Sequence, residues 1–277
     1  MFNAAFQGEE HQAFHFEGRG KGAVILTHGF PGTPKEMRPV ARVLNAMGWT
    51  THGVLMPGYG ADIEHIAEKT AEQWFKSIET PLLELKKTHD TVLMAGNSTG
   101  GALSIQAVAR HGADGLMLFA PFLRVDHFLW SLMPFIRPLL PKFKPFKLFK
   151  PDFNDEELVR GIHNFMPQAD VSDPEFQRGM VEFEVDTRIF EQLRRAGQSG
   201  YDYAPQVNVP TLIIQGRQDE LVKPQVTRSL MERLKGKITY VEVDAPHNPI
   251  QKELACWPQV AEAVQQFASQ FEVKEGV

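Results

Sequence analysis

T-V-L-M-A-G-N-S-T-G-G, Thr91 to Gly101, is the stretch whose reading decides the fold. Thr91 to Ala95 is continuously apolar after a β-branched start, the pattern of a strand covered on both faces. Thr99 to Arg110 carries helix formers at helical spacing. Ser98 therefore falls at the corner between a strand and a helix. Gly96 and Gly100 leave room where side chains would collide, so the chain can reverse sharply and hold the serine in a strained conformation with its hydroxyl outward. A nucleophile needs that presentation; an ordinary glycine-rich turn is the plainer alternative.

Outward from this corner the chain alternates. Phe14 to Phe16 and Ala23 to Thr27 read as strands separated by the turn Gly18 to Gly22. His28 to Pro34, H-G-F-P-G-T-P, is a loop, followed by an amphipathic helix from Lys35 to Met47 that Gly48 closes. Thr51 to Leu55 is a short strand running into Pro57-Gly58-Tyr59-Gly60, and Thr70 to Lys87 is a long helical pattern that continues through Pro81. After the serine turn, the strand Gly115 to Phe119 ends at Ala120-Pro121. The alternation then stops for roughly 85 residues, far beyond a normal connection. It resumes with a strand Val209 to Gln215, a loop Gly216 to Val222, a helix Pro224 to Leu234, a strand Ile238 to Val243, a loop holding His247 and a helix from Leu254 to Phe271.

This order specifies the α/β class, a mainly parallel central sheet flanked by helices, with its chemistry at the carboxyl ends of the strands. The expected organisation is a core of residues 1–120 and 207–277 interrupted by a mostly helical inserted cap, 121–206, over those ends.

Composition narrows the class of function. The chain has 277 residues, a net charge of -5 and a pI near 6.1, so it carries no global basic field to attract nucleic acid. Its single cysteine, Cys256, excludes an internal disulfide and gives no metal cluster. Met1 to Glu10 lacks a secretory pattern and no apolar run has the length of a spanning helix, which makes the cytoplasm the default compartment.

Ser98 needs a base within hydrogen-bond reach, oriented by a carboxylate. Asp219, after the strand of T-L-I-I-Q, and His247, after the last strand, stand in the order Ser, Asp, His expected when the nucleophile rides on a central strand. Asp219 could instead cap the helix at Pro224, Glu220 is a rival acid, and His247 is one of 10 histidines. Acyl transfer also needs two fixed N–H donors for the oxyanion. Thr99, at the start of its helix, and Phe30, in the loop after the early strand, would supply them; Pro31 has no N–H to give.

H-G-F-P-G, P-G-Y-G, G-N-S-T-G-G, G-R-Q-D-E-L-V and A-P-H together resemble the α/β-hydrolase family, in its carboxylesterase and monoacylglycerol lipase branch. The likeness covers about residues 14 to 120 and 207 to 271. It implies Ser98 as nucleophile, Asp219 as orienting acid, His247 as general base, and Phe30 with Thr99 as oxyanion donors, with no metal or organic cofactor. Asn97 and Thr99 depart from the residues that usually flank the serine, and Pro246 and Asn248-Pro249 stiffen the histidine loop.

The first half of the insertion mixes Phe122, Phe128, Trp130, Phe135, Phe143, Phe146, Phe149 and Phe153 with Arg124, Arg137, Lys142, Lys144, Lys147 and Lys150. Three readings stand: the cap's own core with snorkelling lysines, apolar surface with a basic rim for peripheral contact with a membrane or an amphiphilic substrate, or a surface for a protein partner. Phe122, Phe128, Trp130 and Tyr59 are the candidate substrate contacts. Asp152 to Asp186 is acid-rich and reads as solvated helices packed on the core. The expected activity is hydrolysis of a small, lipid-like carboxylic ester such as a monoacylglycerol. The same machinery would serve thioester, amide or carbon-carbon bond hydrolysis, and the fold without turnover would serve lipid or ligand binding.

Overall fold

The computed structural model describes residues 6–123, 141–144, 146–147, 151–156, 158–159, 162, 170–182 and 184–271. Its strands are β1 (Phe14–Phe16), β2 (Gly22–Thr27), β3 (Thr50–Val54), β4 (Thr91–Asn97), β5 (Gly115–Phe119), β6 (Lys142–Phe143), β7 (Val185–Asp186), β8 (Thr211–Gly216) and β9 (Ile238–Val243). Its α-helices are α1 (Arg38–Ala46), α2 (Ala71–Thr88), α3 (Thr99–His111), α4 (Pro174–Val181), α5 (Arg188–Tyr203), α6 (Pro224–Met231) and α7 (Trp257–Ala268).

Seven strands form one sheet in the order β1-β3-β2-β4-β5-β8-β9, all parallel except the edge strand β1, which runs antiparallel to β3. The expected α/β-hydrolase architecture is therefore present. Successive side chains of a strand point to opposite faces, and the buried runs of β2, β4, β5 and β8 feed two cores. Ile25, Met94, Leu116 and Ile213 face Trp74, Phe75 and Ile78 of α2 and the apolar side of α3. Val24, Leu26, Leu93, Met117 and Ile214 face Val40 and Leu44 of α1 and Val260, Val264 and Phe267 of α7. Burial on both faces explains why these strands show no polar alternation. β4 lies between β2 and β5, so the serine turn emerges from the middle of the sheet.

β5 and β9 span the residues expected of them, and β4 runs two residues further, to Asn97. Prolines explain where helices start. The segment after His28 to Pro34 begins as a 3-10 turn, Pro34–Met37, and α1 starts only at Arg38 because Pro39 lacks an N–H and fits only the first helical turn. Pro258 likewise delays α7 to Trp257 rather than Leu254. Gly60–Glu68 is 3-10 helix, which the sequence reading leaves unassigned. Thr70 caps α2 with a reciprocal Thr70–Gln73 capping box.

Between β5 and β8, β6 and β7 pair antiparallel, a short sheet not foreseen in a helical cap. Ile162, Val171, Phe176 and Met180 form a small cluster separate from the two sheet-face cores, with Phe146 and Phe153 packed on it, so the acid-rich segment carries apolar packing of its own. α5 differs: Ile189, Leu193 and Ala196 join the core on the α2 and α3 side of the sheet.

Candidate active site

Ser98 connects β4 to α3 with φ 49° and ψ -118°, a conformation that costs a non-glycine residue about 1–3 kcal/mol. The turn is locked on both sides. Its N–H donates to the Phe119 carbonyl (2.9 Å), and its carbonyl accepts from the N–H groups of Gly101 (2.9 Å) and Phe122 (3.0 Å). Gly100 passes so close to β2 that a Cβ there would meet the carbonyl oxygens of Thr27 and His28. Only glycine allows that approach.

The loops after β8 and β9 bring the other two candidates to this turn. His247 Nε2 lies 2.9 Å from Ser98 Oγ, and His247 Nδ1 lies 2.8 Å from Asp219 Oδ2. Asp219 is buried. Its Oδ1 accepts from the N–H groups of Leu221 (3.0 Å) and Val222 (2.7 Å), and its Oδ2 also accepts from Gln215 Nε2 (2.9 Å). Thr227 Oγ1 donates to Gln215 Oε1 at 2.6 Å and fixes that amide. A carboxylate that only accepts puts the imidazole proton on Nδ1 and leaves Nε2 free to receive the serine proton. Asp219 does not cap α6, whose N-cap residue is Lys223, and Glu220 is exposed.

The loop after β2 lies against the same serine: a Cβ on Gly29 would sit 2.9 Å from Ser98 Cβ. His28 is fully buried, and desolvation drives its pKa down to about 4. The neutral ring accepts from the Met56 N–H at Nε2 (3.2 Å) and donates from Nδ1 to the Gly29 carbonyl (2.9 Å). That carbonyl and the Phe30 N–H belong to one planar peptide unit, so holding one orients the other. The Thr99 N–H, in the first turn of α3, has no intrahelical acceptor and stands at the positive end of the helix dipole.

Tyr59 is buried beneath this loop, its ring 4.8 Å from His28, 6.3 Å from Phe30 and 5.6 Å from Trp74 between centroids. Burial holds its hydroxyl pKa above the ordinary value. Phe122 is buried next to the serine turn, where its N–H donates a hydrogen bond to the Ser98 carbonyl. Phe128 and Trp130 lie outside the described residues. Among the described residues, no group of three His, Cys, Asp or Glu side chains could hold a metal ion, and no helix is long and apolar enough to cross a membrane. Lys142 pairs with Glu184 (2.9 Å), and Lys144 and Lys147 both pair with Glu182.

Two residues at the site escape the sequence reading. Gln215 ends the apolar run of β8 and looks like a strand-end polar residue. Glu36 looks like an acid at a helix start; its Oε1 instead accepts from the Gly29 N–H (2.5 Å) and from Asn97 Nδ2 (2.9 Å).

The parallel sheet, the strained serine between β4 and α3, and the histidine and carboxylate delivered by later strand ends define the architecture of an α/β hydrolase. The chain belongs to the serine aminopeptidase S33 family (Hydrolase_4), whose model matches residues 18–245. It is 34% identical over 92 residues to a thermostable monoacylglycerol lipase of Bacillus sp. strain H-257, a match covering 33% of this chain and only 37% of that protein. It is 22% identical over 214 residues to a carboxylesterase of Bacillus subtilis strain 168, covering 76% of this chain and 77% of that one. The crystal structure of the Paleococcus ferrophilus monoacylglycerol lipase superposes with a TM-score of 0.69 at 18% identity, covering 94% of this chain and 98% of that one, which is a likeness of fold.

Proposed function

We propose that the protein hydrolyses carboxylic esters through a Ser98-His247-Asp219 triad and an acyl-enzyme. The observation that carries this is the hydrogen-bonded series from Ser98 Oγ through the two His247 nitrogens to Asp219. His247 Nε2 takes the hydroxyl proton as Ser98 Oγ attacks the ester carbonyl, and Asp219 stabilises the resulting imidazolium. The N–H groups of Phe30 and Thr99 receive the oxyanion. The tetrahedral adduct collapses as His247 returns the proton to the departing alcohol; water then enters and gives a proton to His247 as it attacks the acyl carbonyl, and the second adduct collapses as His247 passes that proton to Ser98 Oγ and the acid leaves.

The substrate we assign is a lipid-like ester, a monoacylglycerol or another ester with a medium or long acyl chain. The partial match to a monoacylglycerol lipase and the aromatic content of residues 121–206, taken as the cap on a core of 1–120 and 207–277, support it. The pairing of Lys142, Lys144 and Lys147 with acids of the same insertion favours the cap's own packing over a basic rim for an anionic membrane. The compartment we assign is the cytoplasm, with which the single, buried cysteine is compatible. The aminopeptidase description of the family makes amide hydrolysis the second reading.

The test is steady-state and burst release of p-nitrophenol from butyrate through palmitate esters, beside aminoacyl p-nitroanilides. Rising kcat/KM with acyl length supports the lipid-like ester. Turnover of the anilides alone replaces it with the peptidase reading.

A further inference from the structure

Glu36 does something that the triad and the oxyanion donors leave unexplained. A single oxygen, Oε1, accepts from both the Gly29 N–H and Asn97 Nδ2. Gly29 immediately precedes Phe30, and Asn97 immediately precedes Ser98. The two lie beyond β2 and at the end of β4, far apart in the chain, and the Glu36 side chain ties them together. With its N–H on Glu36 and its carbonyl on His28, Gly29 is held at both of its polar groups.

Stability does not account for a carboxyl here. Glu36 is half-buried, but its carboxyl is tucked beneath the loop, and desolvation there raises its pKa. Among the described residues no ion pair joins a lysine or arginine to Glu36. Of the influences on its pKa, the Coulombic pull of His247 is the smallest and burial the largest. An acid desolvated without a paired lysine or arginine is costly, and such groups cluster where chemistry needs them.

We propose that Glu36 is a positioning residue that clamps the oxyanion loop to the nucleophile turn, keeping the Phe30 N–H aimed at the oxygen of the carbonyl that Ser98 attacks. This rests on the triad reading above. The clamp acts through an N–H whose bond strengthens only as negative charge develops, so its loss lowers kcat and leaves KM nearly unchanged. What the clamp requires is an acceptor, so glutamine at this position preserves it.

The experiment measures kcat and KM on p-nitrophenyl octanoate for the native protein, Glu36→Ala, Glu36→Gln, Asn97→Ala and the Glu36→Ala/Asn97→Ala pair, with fluorophosphonate labelling of Ser98 alongside. Glu36→Ala should lose kcat by roughly 10- to 100-fold, less than the loss of a whole oxyanion donor, with KM within about twofold. Glu36→Gln should stay within about threefold of native. The double variant should be no worse than Glu36→Ala, because Asn97 acts through Glu36. Native kcat in Glu36→Ala, a loss confined to KM, or a Glu36→Gln as impaired as Glu36→Ala overturns the clamp. If Glu36→Ala does not fold, Asn97→Ala decides: a kcat loss at constant KM supports the clamp and an unchanged kcat overturns it. A native protein that neither turns over ester nor labels at Ser98 removes the triad reading and the clamp with it, whereas an active, labelled native protein with indifferent variants sinks the clamp alone.

Discussion

Ser98 and His247, 149 positions apart in the chain, meet at 2.9 Å between Oγ and Nε2. The contact joins two strand-end loops that the sheet order separates by β5 and β8, since His247 follows β9 at the sheet edge while Ser98 follows β4 at its centre. Such a long reach requires the loop after β9 to cross back over the carboxyl ends of the strands.

In the proposed mechanism, replacing Ser98 with alanine removes the attacking oxygen and leaves the imidazole without its partner. Ester turnover should fall by roughly four to six orders of magnitude, and fluorophosphonate labelling should vanish. Thermal unfolding should move little, because alanine keeps the Cβ and the strained backbone and the side chain gives up only its hydrogen bond to His247. Residual labelling of the variant would place the nucleophile elsewhere.

Asp219 and Glu220 are adjacent but not equivalent. Asp219→Asn keeps the shape and offers an amide N–H where the His247 Nδ1–H needs an acceptor, favouring the wrong tautomer. Its kcat should drop on the order of a thousandfold to ten thousandfold. Glu220→Gln, at an exposed side chain, should remain within about twofold of native. Parallel kcat measurements on the two variants would reverse the assignment if Glu220→Gln proved the more damaging.

The sheet and the serine turn are legible because their causes are local. Fully apolar runs such as Gly115 to Phe119 follow from burial on both faces, and Ser98 stands out through the glycines that its tight turn requires. The ordering of Asp219 and His247 after later strands is likewise a property of chain order. Glu36 is different: nothing in the segment P-K-E-M distinguishes an acid on a 3-10 turn from one that reaches 61 positions along the chain to Asn97. Gln215 is hidden for the same reason, since its partners Asp219, Val222 and Thr227 become neighbours only when the β8 loop closes. The β6–β7 pair rests on two-residue strands, too short for any periodicity to announce.

Gly100→Ala tests how closely the turn is fitted to β2. The added methyl would press on the carbonyl oxygens of Thr27 and His28, backbone atoms that cannot rotate aside. Overpacking of this kind should cost about 1–3 kcal/mol in urea unfolding. A displacement of Ser98 approaching 1 Å should also lower kcat by up to roughly a hundredfold. A variant with native stability and native kcat would show that β2 and α3 can separate without consequence.

His28 makes the acid side of the stability curve steeper. Burial holds it neutral in the fold with a pKa of about 4, against an ordinary value of 6.5. Between these two values the unfolded chain binds a proton that the folded chain refuses. The contribution is fully present above the unfolded value and is lost as pH falls toward the folded one, by up to about 1.4 kcal/mol per pH unit. Burial also lowers the pKa values of His11 and His52, which act in the same sense, while the raised pKa of Glu36 acts in the opposite sense above its ordinary 4.5. His28→Asn isolates the His28 share, since its amide can still donate to the Gly29 carbonyl but does not titrate. The variant should be less stable than native at pH 7.5, and urea unfolding from pH 7.5 down to 4.5 should show that gap narrowing by roughly 2–3 kcal/mol. A gap that stays constant across the range would mean that His28 titrates alike in the folded and unfolded chains, and that the loop tolerates a charged imidazole beneath Gly29.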